Sequence, residues 1–263
     1  MKRILIVAGS DSGGGAGIQA DIKTASALGV FAMTAVTAVT AQNTRGVRSV
    51  HMIPPAIVAE QIEATLTDIG ADAIKIGMLG SAAIVKAVAK SLRKHARAIP
   101  IVLDPVMIST SGHSLLAKDA IAALKSNLLP LATLVTPNIP EAKALVGMRG
   151  GKRDAAERAG RALVSMGATS ALIKGGHATG ATIDDVLVWH GGVEVYAFPR
   201  IKTMHTHGTG CTLSTAIACG LAKGDSLPLA VGRAREFVQR AIETAPGLGK
   251  GHGPLNHLYG SRL

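Results

Sequence analysis

The chain is organised around one stretch, HTHGTGCTLSTAIACG, at residues 205–220. Its first half is polar and passes through Gly208, Thr209 and Gly210, whereas the residues from Cys211 onward have the small and apolar pattern of a helix. The stretch therefore predicts backbone N–H groups at a helix N-terminus, where unpaired donors and the helix dipole favour an anion. A thiol at such a position can have its pKa lowered from about 8.5 to roughly 3.5–7.5. We expect an anion-binding loop with Cys211 beside it as a thiolate.

The composition indicates one α/β domain that spans residues 1–263. Hydrophobic residues make up 48% of the chain but aromatic residues only 2%, so the core consists mainly of Ala, Val, Ile and Leu. This mixture is typical of helices packed on a buried parallel sheet. The sequence has no N-terminal signal pattern and no apolar stretch long enough to cross a bilayer, so we expect a cytoplasmic protein without a membrane partner.

The charge and the cysteines exclude other classes of protein. The net charge is +11, but the 28 Lys and Arg residues are scattered and aromatic residues are few, so no nucleic-acid partner is expected. An anionic small substrate or a basic solvated surface explains the charge. Cys211 and Cys219 lie about 12 Å apart on one predicted helix, too far for a disulfide. Cys219 is expected in the core.

Short apolar runs alternate with segments of helical periodicity. The predicted strands are 4–8, 33–40, 47–52 (an edge strand), 73–76, 101–103, 134–136, 171–174, 186–189 and 193–198. The predicted helices are 17–29, 54–67, 82–95, 118–128, 154–166, one that begins at Cys211, and 227–244. Repeated βαβ units imply a three-layer αβα fold with helices on both faces of a mostly parallel sheet. The last two strands form a hairpin, a small antiparallel part.

Five polar loops follow the carboxyl ends of predicted strands, where ligands bind in open parallel sheets. They are GSDSGGGAG from Gly9, AQNT from Ala41, DPVM from Asp104, TPNIPE from Thr136 and KGGH from Lys174. The first loop lacks both the ending of a Walker A loop and the spacing of a dinucleotide fingerprint. This loop can therefore be either a tight turn that approaches a ligand or a phosphate-binding loop.

Two carboxylates at neighbouring strand ends suggest a magnesium site. Asp104 follows a buried apolar run, and Asn138 and Glu141 follow the next strand. Mg²⁺ uses few protein carboxylates and completes its shell with water and phosphate oxygens. The alternative is structural, with Asp104 capping a turn and Glu141 starting a helix.

Four other side chains also have a functional and a structural interpretation. Lys174 ends a strand beside glycines, where it can reach phosphate oxygens or be solvated. Asp21 could face a ligand or be ordinary charge in a first helix turn. His205 and His207 form an H-x-H pair, but no third ligand has suitable spacing. Loop hydrogen bonding is favoured over metal binding for this pair.

Taken together, the motifs resemble the hydroxymethylpyrimidine/phosphomethylpyrimidine kinases of thiamine biosynthesis, in the ribokinase-like superfamily. The resemblance covers nearly the whole chain and is carried by GSDSGGGAGIQAD, AQNTRGV, KIGMLG, LDPVM, TPNIPEA, KGGH, HGTGCTLS and GHGP, in this order. It implies an ATP-dependent kinase that phosphorylates 4-amino-5-hydroxymethyl-2-methylpyrimidine and then phosphorylates the monophosphate to the diphosphate. It also implies a homodimer.

The resemblance implies a role for each motif at the substrate. Gln42 and Asp21 hydrogen-bond the aminopyrimidine, Met78 packs against its ring, and Gly9 lies near it. The segment from Gly208 to Cys211 forms the anion hole.

It likewise implies the residues that bind the nucleotide and the metal. Asn138 and Glu141 form an N-x-x-E element that organises Mg²⁺ and phosphates, with Asp104 nearby. Lys174 reaches the ATP phosphates, and Thr206 is placed at the nucleotide. Cys211 stands where many sugar kinases of the superfamily carry an aspartate base.

Three other functions remain as alternatives. Pyridoxal kinase is the nearest, because pyridoxine is a similar flat heterocycle with a hydroxymethyl group. A nucleotide- or DNA-binding protein without catalysis would not turn over ATP in response to substrate. A dinucleotide-dependent oxidoreductase is disfavoured by the glycine spacing.

Overall fold

The computed structural model describes residues 1–107, 117–148, 154–176 and 180–260. Two of the predicted loops lie partly outside the described residues. The loop that begins with DPVM at Asp104 is predicted to continue as ISTSGH, residues 108–113, and KGGH ends at His177. Within the described residues, strands and helices alternate as the sequence predicts.

Nine strands form one sheet in the order β3-β2-β1-β4-β5-β6-β7-β8-β9. They are β1 Arg3–Asp11, β2 Phe31–Asn43, β3 Gly46–Met52, β4 Ala73–Ile76, β5 Ile101–Leu103, β6 Leu134–Val135, β7 Ser170–Ile173, β8 Thr182–Trp189 and β9 Gly192–Pro199. Pairing is parallel from β2 to β7. It is antiparallel at the edges, where β3 pairs with β2, and β8 pairs with β7 and β9.

Eight α-helices cover the described sheet. They are α1 Gly17–Ala27, α2 Pro55–Asp68, α3 Ala82–His95, α4 Lys118–Asn127, α5 Ile139–Val146, α6 Ala155–Ser165, α7 Thr209–Lys223 and α8 Leu227–Glu243. A short 3-10 helix, Leu129–Leu131, follows α4. None of the described helices combines the length and apolarity that a membrane span requires.

The sheet separates two aliphatic cores. Alternate residues of β1 point to opposite faces, so Leu5 and Val7 join the core under α2 to α6, whereas Ile4 and Ile6 join the core under α1, α7 and α8. All four side chains have no exposed surface. This arrangement confirms the predicted three-layer αβα fold with a mostly parallel sheet.

Strand β1 is the point at which the chain reverses direction across the sheet. From β1 the chain passes to β2 and β3 at one edge, then returns to β4 on the other side of β1. A parallel sheet opens a crevice at the carboxyl ends of the strands flanking such a point. The topology therefore places the loops after β1 and β4 together, and α7 packs across both strands.

The structure corrects the sequence prediction at three places. Gly9 to Asp11, predicted in the first glycine loop, belong to β1. Gln42 and Asn43, predicted in a loop, belong to β2, because the antiparallel partner β3 pairs with them at Val47 and Gly46. Non-local pairing of this kind leaves little trace in local polarity. The residues after Asn138 form the helix α5, which was considered only as the structural alternative for Glu141.

Candidate active site

The helix α7 begins in the glycine loop as predicted, and its N-terminus lies against the first glycine loop. Gly208 is the N-cap and has a φ of +87°, a left-handed conformation that favours glycine. A Cβ at this position would overlap the carbonyl oxygen of Gly15. The amides of Gly210 and Cys211 lie in the first turn of α7, where N–H groups have no partner within the helix. The sequence predicts an anion at this helix start, which we call the anion cradle, and binding there stays a prediction.

The thiol of Cys211 is not acidified in this structure, contrary to the sequence-based hypothesis. Burial raises its pKa to about 11; the ammonium of Lys75 acts to lower it, and the carboxylates of Asp21 and Asp104 act to raise it. The helix N-terminus and the N–H of Gly17 that donates to the thiol do not offset the burial. At neutral pH the cysteine is protonated in the ligand-free protein.

Beneath the cysteine lies a buried ion pair that sequence reasoning missed. Lys75 Nζ donates to Asp21 Oδ2 at 2.7 Å, and Thr215 donates to Asp21 Oδ1 at 2.7 Å. Burial acts to lower the pKa of Lys75, but Asp21, Cys211 and Asp104 outweigh it and the pKa is raised. The predicted contact of Asp21 with an aminopyrimidine stays a prediction, and this structure gives it no support because both carboxylate oxygens are occupied and buried.

Lys174 and Asp104, from different predicted loops, form a second ion pair. Lys174 Nζ lies 2.9 Å from Asp104 Oδ1, and Asp104 is only 2% exposed. A Cβ on Gly210 would lie 3.2 Å from Lys174 Nζ and 3.5 Å from Asp104 Oδ2. The lysine and the carboxylate are therefore adjacent to the start of α7. A phosphate bound in the cradle would lie within reach of the ammonium.

The strand end that carries Lys174 is held by a buried carboxylate. Asp185 Oδ1 accepts a 2.7 Å hydrogen bond from the N–H of Gly175. Arg235 Nε lies 3.0 Å from Asp185 Oδ2, although its N–H is not aligned for a hydrogen bond. The guanidinium also lies over the ring of Phe198, 4.7 Å from the ring centroid. These contacts fix the backbone immediately after Lys174.

Asn138 and Glu141 form the capping box of α5. Asn138 Oδ1 accepts from the Glu141 N–H, and Glu141 Oε2 accepts from the Asn138 N–H, both at 2.8 Å. The structural alternative for Glu141 is thus correct, yet its other carboxylate oxygen remains 3.5 Å from the Met107 N–H. Burial and the negative charge of Asp104 raise the pKa of Glu141, whereas Lys174 acts to lower it.

These carboxylates fit a magnesium ion by their chemistry. Asp104 and Glu141 are both buried and both offer the hard oxygen ligands that Mg²⁺ prefers. Their negative charges repel each other, and a divalent cation between them would relieve this repulsion. No group of three or more His, Cys, Asp and Glu side chains in the described parts of the chain is arranged to hold a metal ion. Two carboxylates are enough for Mg²⁺, which takes its remaining ligands from water and phosphate.

The structure brings three of the four predicted substrate residues to one place. A Cβ on Gly9 would lie 3.2 Å from Met78 Sδ. Gln42 is connected to the same region by Thr40, whose hydroxyl lies 2.9 Å from Ser10 O and 3.3 Å from Gln42 Oε1. Gly9, Met78 and Gln42 hence line one corner of the sheet edge.

His207 and Asp11 contact this corner, and sequence reasoning assigned neither a role there. His207 Nε2 lies 2.9 Å from Asp11 Oδ2 and 3.3 Å from Gln42 Nε2. The loop hydrogen bonding favoured for the H-x-H pair is confirmed for His207. Thr206 precedes it, and its carbonyl accepts from the hydroxyl of Thr209 at 2.7 Å; its contact with a nucleotide stays a prediction.

The fold and the site define a class of enzyme. A helix N-terminus, a lysine and two carboxylates meet at the carboxyl edge of a three-layer α/β sheet, next to the corner that contains Gly9, Met78 and Gln42. Phosphoryl transfer needs alignment and charge neutralisation from such groups. The protein is a small-molecule phosphotransferase.

Comparisons with known proteins give the family. The family model for phosphomethylpyrimidine kinase matches residues 11–256. The hydroxymethylpyrimidine/phosphomethylpyrimidine kinase of Haemophilus influenzae is 47% identical over 100% of this chain and 99% of its own. The bifunctional thiamine biosynthesis protein ThiED of Geobacter sulfurreducens is 47% identical over 97% of this chain, which spans only 52% of that protein. The chain belongs to the phosphomethylpyrimidine kinase family.

The chain is also similar to the solved structure of an enzyme with a related activity. Pyridoxal kinase of Bacillus subtilis, determined as an ADP complex, is 36% identical, and the match covers 98% of this chain and 97% of that one, with a TM-score of 0.90. This similarity supports the ribokinase-like fold and a nucleotide as co-substrate.

Proposed function

We propose that the protein transfers a phosphoryl group from ATP to the alcohol of 4-amino-5-hydroxymethyl-2-methylpyrimidine, and then a second one to the monophosphate, in thiamine biosynthesis. One observation carries the proposal: the corner that contains Gly9 adjoins the start of α7, because a Cβ on Gly17 would overlap Gly9 O and the Gly17 N–H donates to Cys211. The family membership supports the same substrate, because relatives of similar length are named for this activity.

The residues divide the chemistry between them. The N-terminal amides of α7 hold the transferred phosphoryl oxygens, and the ammonium of Lys174 exchanges its contact with Asp104 for the ATP phosphates. Mg²⁺, held by Asp104 and Glu141, supplies further neutralisation of phosphate charge when bound.

Cys211 is the proposed proton acceptor for the alcohol. Base catalysis requires that the bound reactants lower its pKa from about 11. Within the described part of the chain, the ammonium of Lys75 acts to lower the pKa of the thiol.

Product identification tests the proposal. The protein is incubated with ATP, Mg²⁺ and an equimolar mixture of hydroxymethylpyrimidine and pyridoxine, and phosphorylated products are separated by mass. We expect the pyrimidine monophosphate first and its diphosphate later, with no turnover when Mg²⁺ is omitted. ATP hydrolysis that does not depend on an alcohol, or absence of both pyrimidine products, would refute the proposal.

Pyridoxal kinase is the second candidate, favoured by the TM-score of 0.90 to the enzyme of Bacillus subtilis. The mixed incubation separates the two functions, because each alcohol gives a product of different mass. Pyridoxine phosphate as the main product would establish the second candidate.

The proposal includes assembly and location. We expect a homodimer in the cytoplasm, as in the family that the sequence resembles. Analytical ultracentrifugation at micromolar concentration tests the first expectation, and fractionation of the source cells tests the second.

A further inference from the structure

A buried histidine connects the first glycine loop to Gln42. His207 is 8% exposed, and its backbone N–H donates to Gly253 O at 3.1 Å. A Cβ on Gly15 would overlap the imidazole ring, so the ring is confined between this loop and the C-terminal segment. Its Nε2 is the atom that contacts both Asp11 and Gln42.

The surroundings of Asp11 determine which atoms carry protons. Its carboxylate accepts hydrogen bonds from the N–H groups of Gly13, Gly15 and Ala16 at 2.8 Å, 3.1 Å and 2.8 Å. Burial acts to raise the pKa of Asp11, but His207 and the amides of Ala16 and Gly13 outweigh it and the pKa is lowered. An ionised carboxylate only accepts. The 2.9 Å contact therefore requires a proton on His207 Nε2.

A protonated Nε2 determines the orientation of the Gln42 amide. A donor on His207 cannot face the amide nitrogen of Gln42, which also donates, across 3.3 Å. With the amide oxygen and nitrogen exchanged, Oε1 of Gln42 faces the Nε2–H of His207 and accepts the weaker branch of a three-centre hydrogen bond, whose stronger branch goes to Asp11. The Nε2 of Gln42 then donates to Thr40 Oγ1, whose own proton goes to Ser10 O at 2.9 Å. This orientation removes the donor–donor contact between His207 and Gln42 and the acceptor–acceptor contact between Gln42 and Thr40.

We propose that His207, held by Asp11, is a positioning residue that determines substrate specificity by fixing the amide orientation of Gln42. This inference rests on the proposed function. In the fixed orientation Gln42 retains one free acceptor position on Oε1 and one free N–H on Nε2. An aminopyrimidine presents the complementary pair, an amino donor beside a ring nitrogen acceptor. A freely rotating amide would offer the reverse pair equally often.

The test compares the natural alcohol with its analogue that lacks the 4-amino group. His207→Leu removes the donor, whereas His207→Gln retains an N–H at nearly the same position. His252→Leu is the matched control, since His252 is exposed and bonds only to the carbonyls of Met204 and Thr44 in the described chain. Thr40→Val removes the acceptor at the other end of the amide and serves if His207→Leu does not fold.

We expect His207→Leu and Thr40→Val each to lower the ratio of kcat/KM between the amino and desamino alcohols by about tenfold, a loss of roughly 1.4 kcal/mol. KM for ATP should stay within about twofold, and His207→Gln should restore most of the ratio. A purely structural role would lower both kcat/KM values equally. An unchanged ratio in a folded, active His207→Leu or Thr40→Val protein overturns the inference.

Failure of the proposed function gives a different result. Wild-type protein that forms no pyrimidine phosphate refutes that function, and the specificity inference with it. Wild-type activity together with an unchanged ratio in the variants refutes only the role of His207.

Discussion

The ammonium of Lys75 lies 2.7 Å from the carboxylate of Asp21, and neither side chain has any exposed surface. Each buried charge stabilises the other, because a single charge at this place would lose its hydration without gaining an ion-pair partner. The pair lies beneath Cys211, so the same ammonium influences both the stability of the fold and the charge at the reaction centre.

Replacement of Lys75 by methionine should therefore strongly destabilise the protein. We expect the free energy of unfolding in urea to fall by about 3–5 kcal/mol, because Asp21 is left buried without its partner. The double variant with Asp21→Asn should recover part of this loss. The exposed pair Lys94–Glu63 is the control, and Lys94→Met should leave stability essentially unchanged. A small loss for Lys75→Met would contradict this expectation and show that Asp21 takes up a proton at little cost once its partner is removed.

The thiol of Cys211 should react slowly with iodoacetamide in the ligand-free enzyme. A pKa of about 11 leaves about two orders of magnitude less thiolate at pH 8 than an unperturbed cysteine has. The alkylation rate should increase about tenfold per pH unit up to pH 10. Mass spectrometry follows the reaction, with Cys211→Ser to report the background from buried Cys219. A plateau near neutral pH would show an acidified thiol.

Replacement of Cys211 by alanine should affect the two phosphorylations unequally. An alcohol loses its proton during attack, whereas a phosphate monoester is already largely ionised at neutral pH. We expect kcat of the first step to fall by about 10²–10⁴, the usual contribution of a general base, and kcat of the second step to fall much less. Steady-state rates with each substrate measure this. Equal losses would indicate that Cys211 only positions the substrate.

His257 should make stability depend on pH. It is 3% exposed and lies 3.0 Å from Thr212 Oγ1, which in turn donates to Gly208 O. Burial, with a smaller effect of Lys23, lowers its pKa from 6.5 to about 4. Between these values the unfolded chain binds a proton that the native protein does not. Stability therefore falls as the pH falls through this window, by about 3 kcal/mol in total.

Urea unfolding of wild type and His257→Gln from pH 7.5 to pH 4 measures this contribution. Glutamine keeps an N–H for Thr212 but does not titrate, so the difference between the two proteins isolates the histidine. Parallel profiles would mean that His257 is protonated in the native state without penalty.

Local patterns in the sequence were sufficient for the fold. Apolar runs of strand length alternate with helical periodicity, and this alternation predicted every described strand and each helix except α5 to within a few residues. The prediction failed where an element depends on a distant partner or is short. The end of β2 at Gln42 depends on a partner strand, and α5 has only 8 residues.

The sequence also indicated which loops lie together at the candidate site, because residues at the carboxyl ends of parallel strands share one edge of the sheet. It did not indicate which side chains pair there. Lys75 interrupts the apolar run 73–76 and was a signal for a buried ion pair, but nothing in the sequence names Asp21, 54 positions away, as its partner.

The loop HTHGTGC shows most clearly what the sequence determines and what only the tertiary structure decides. By itself the sequence determined a glycine-bounded helix N-terminus that suits an anion, since this property depends on a few adjacent backbone groups. Only the tertiary structure decided that Cys211 is protonated and that His207 orients Gln42. The pKa of Cys211 depends on burial and on the charges of residues that are distant in the sequence. The hydrogen bonds of His207 likewise involve distant residues, and only folding brings all of these groups together.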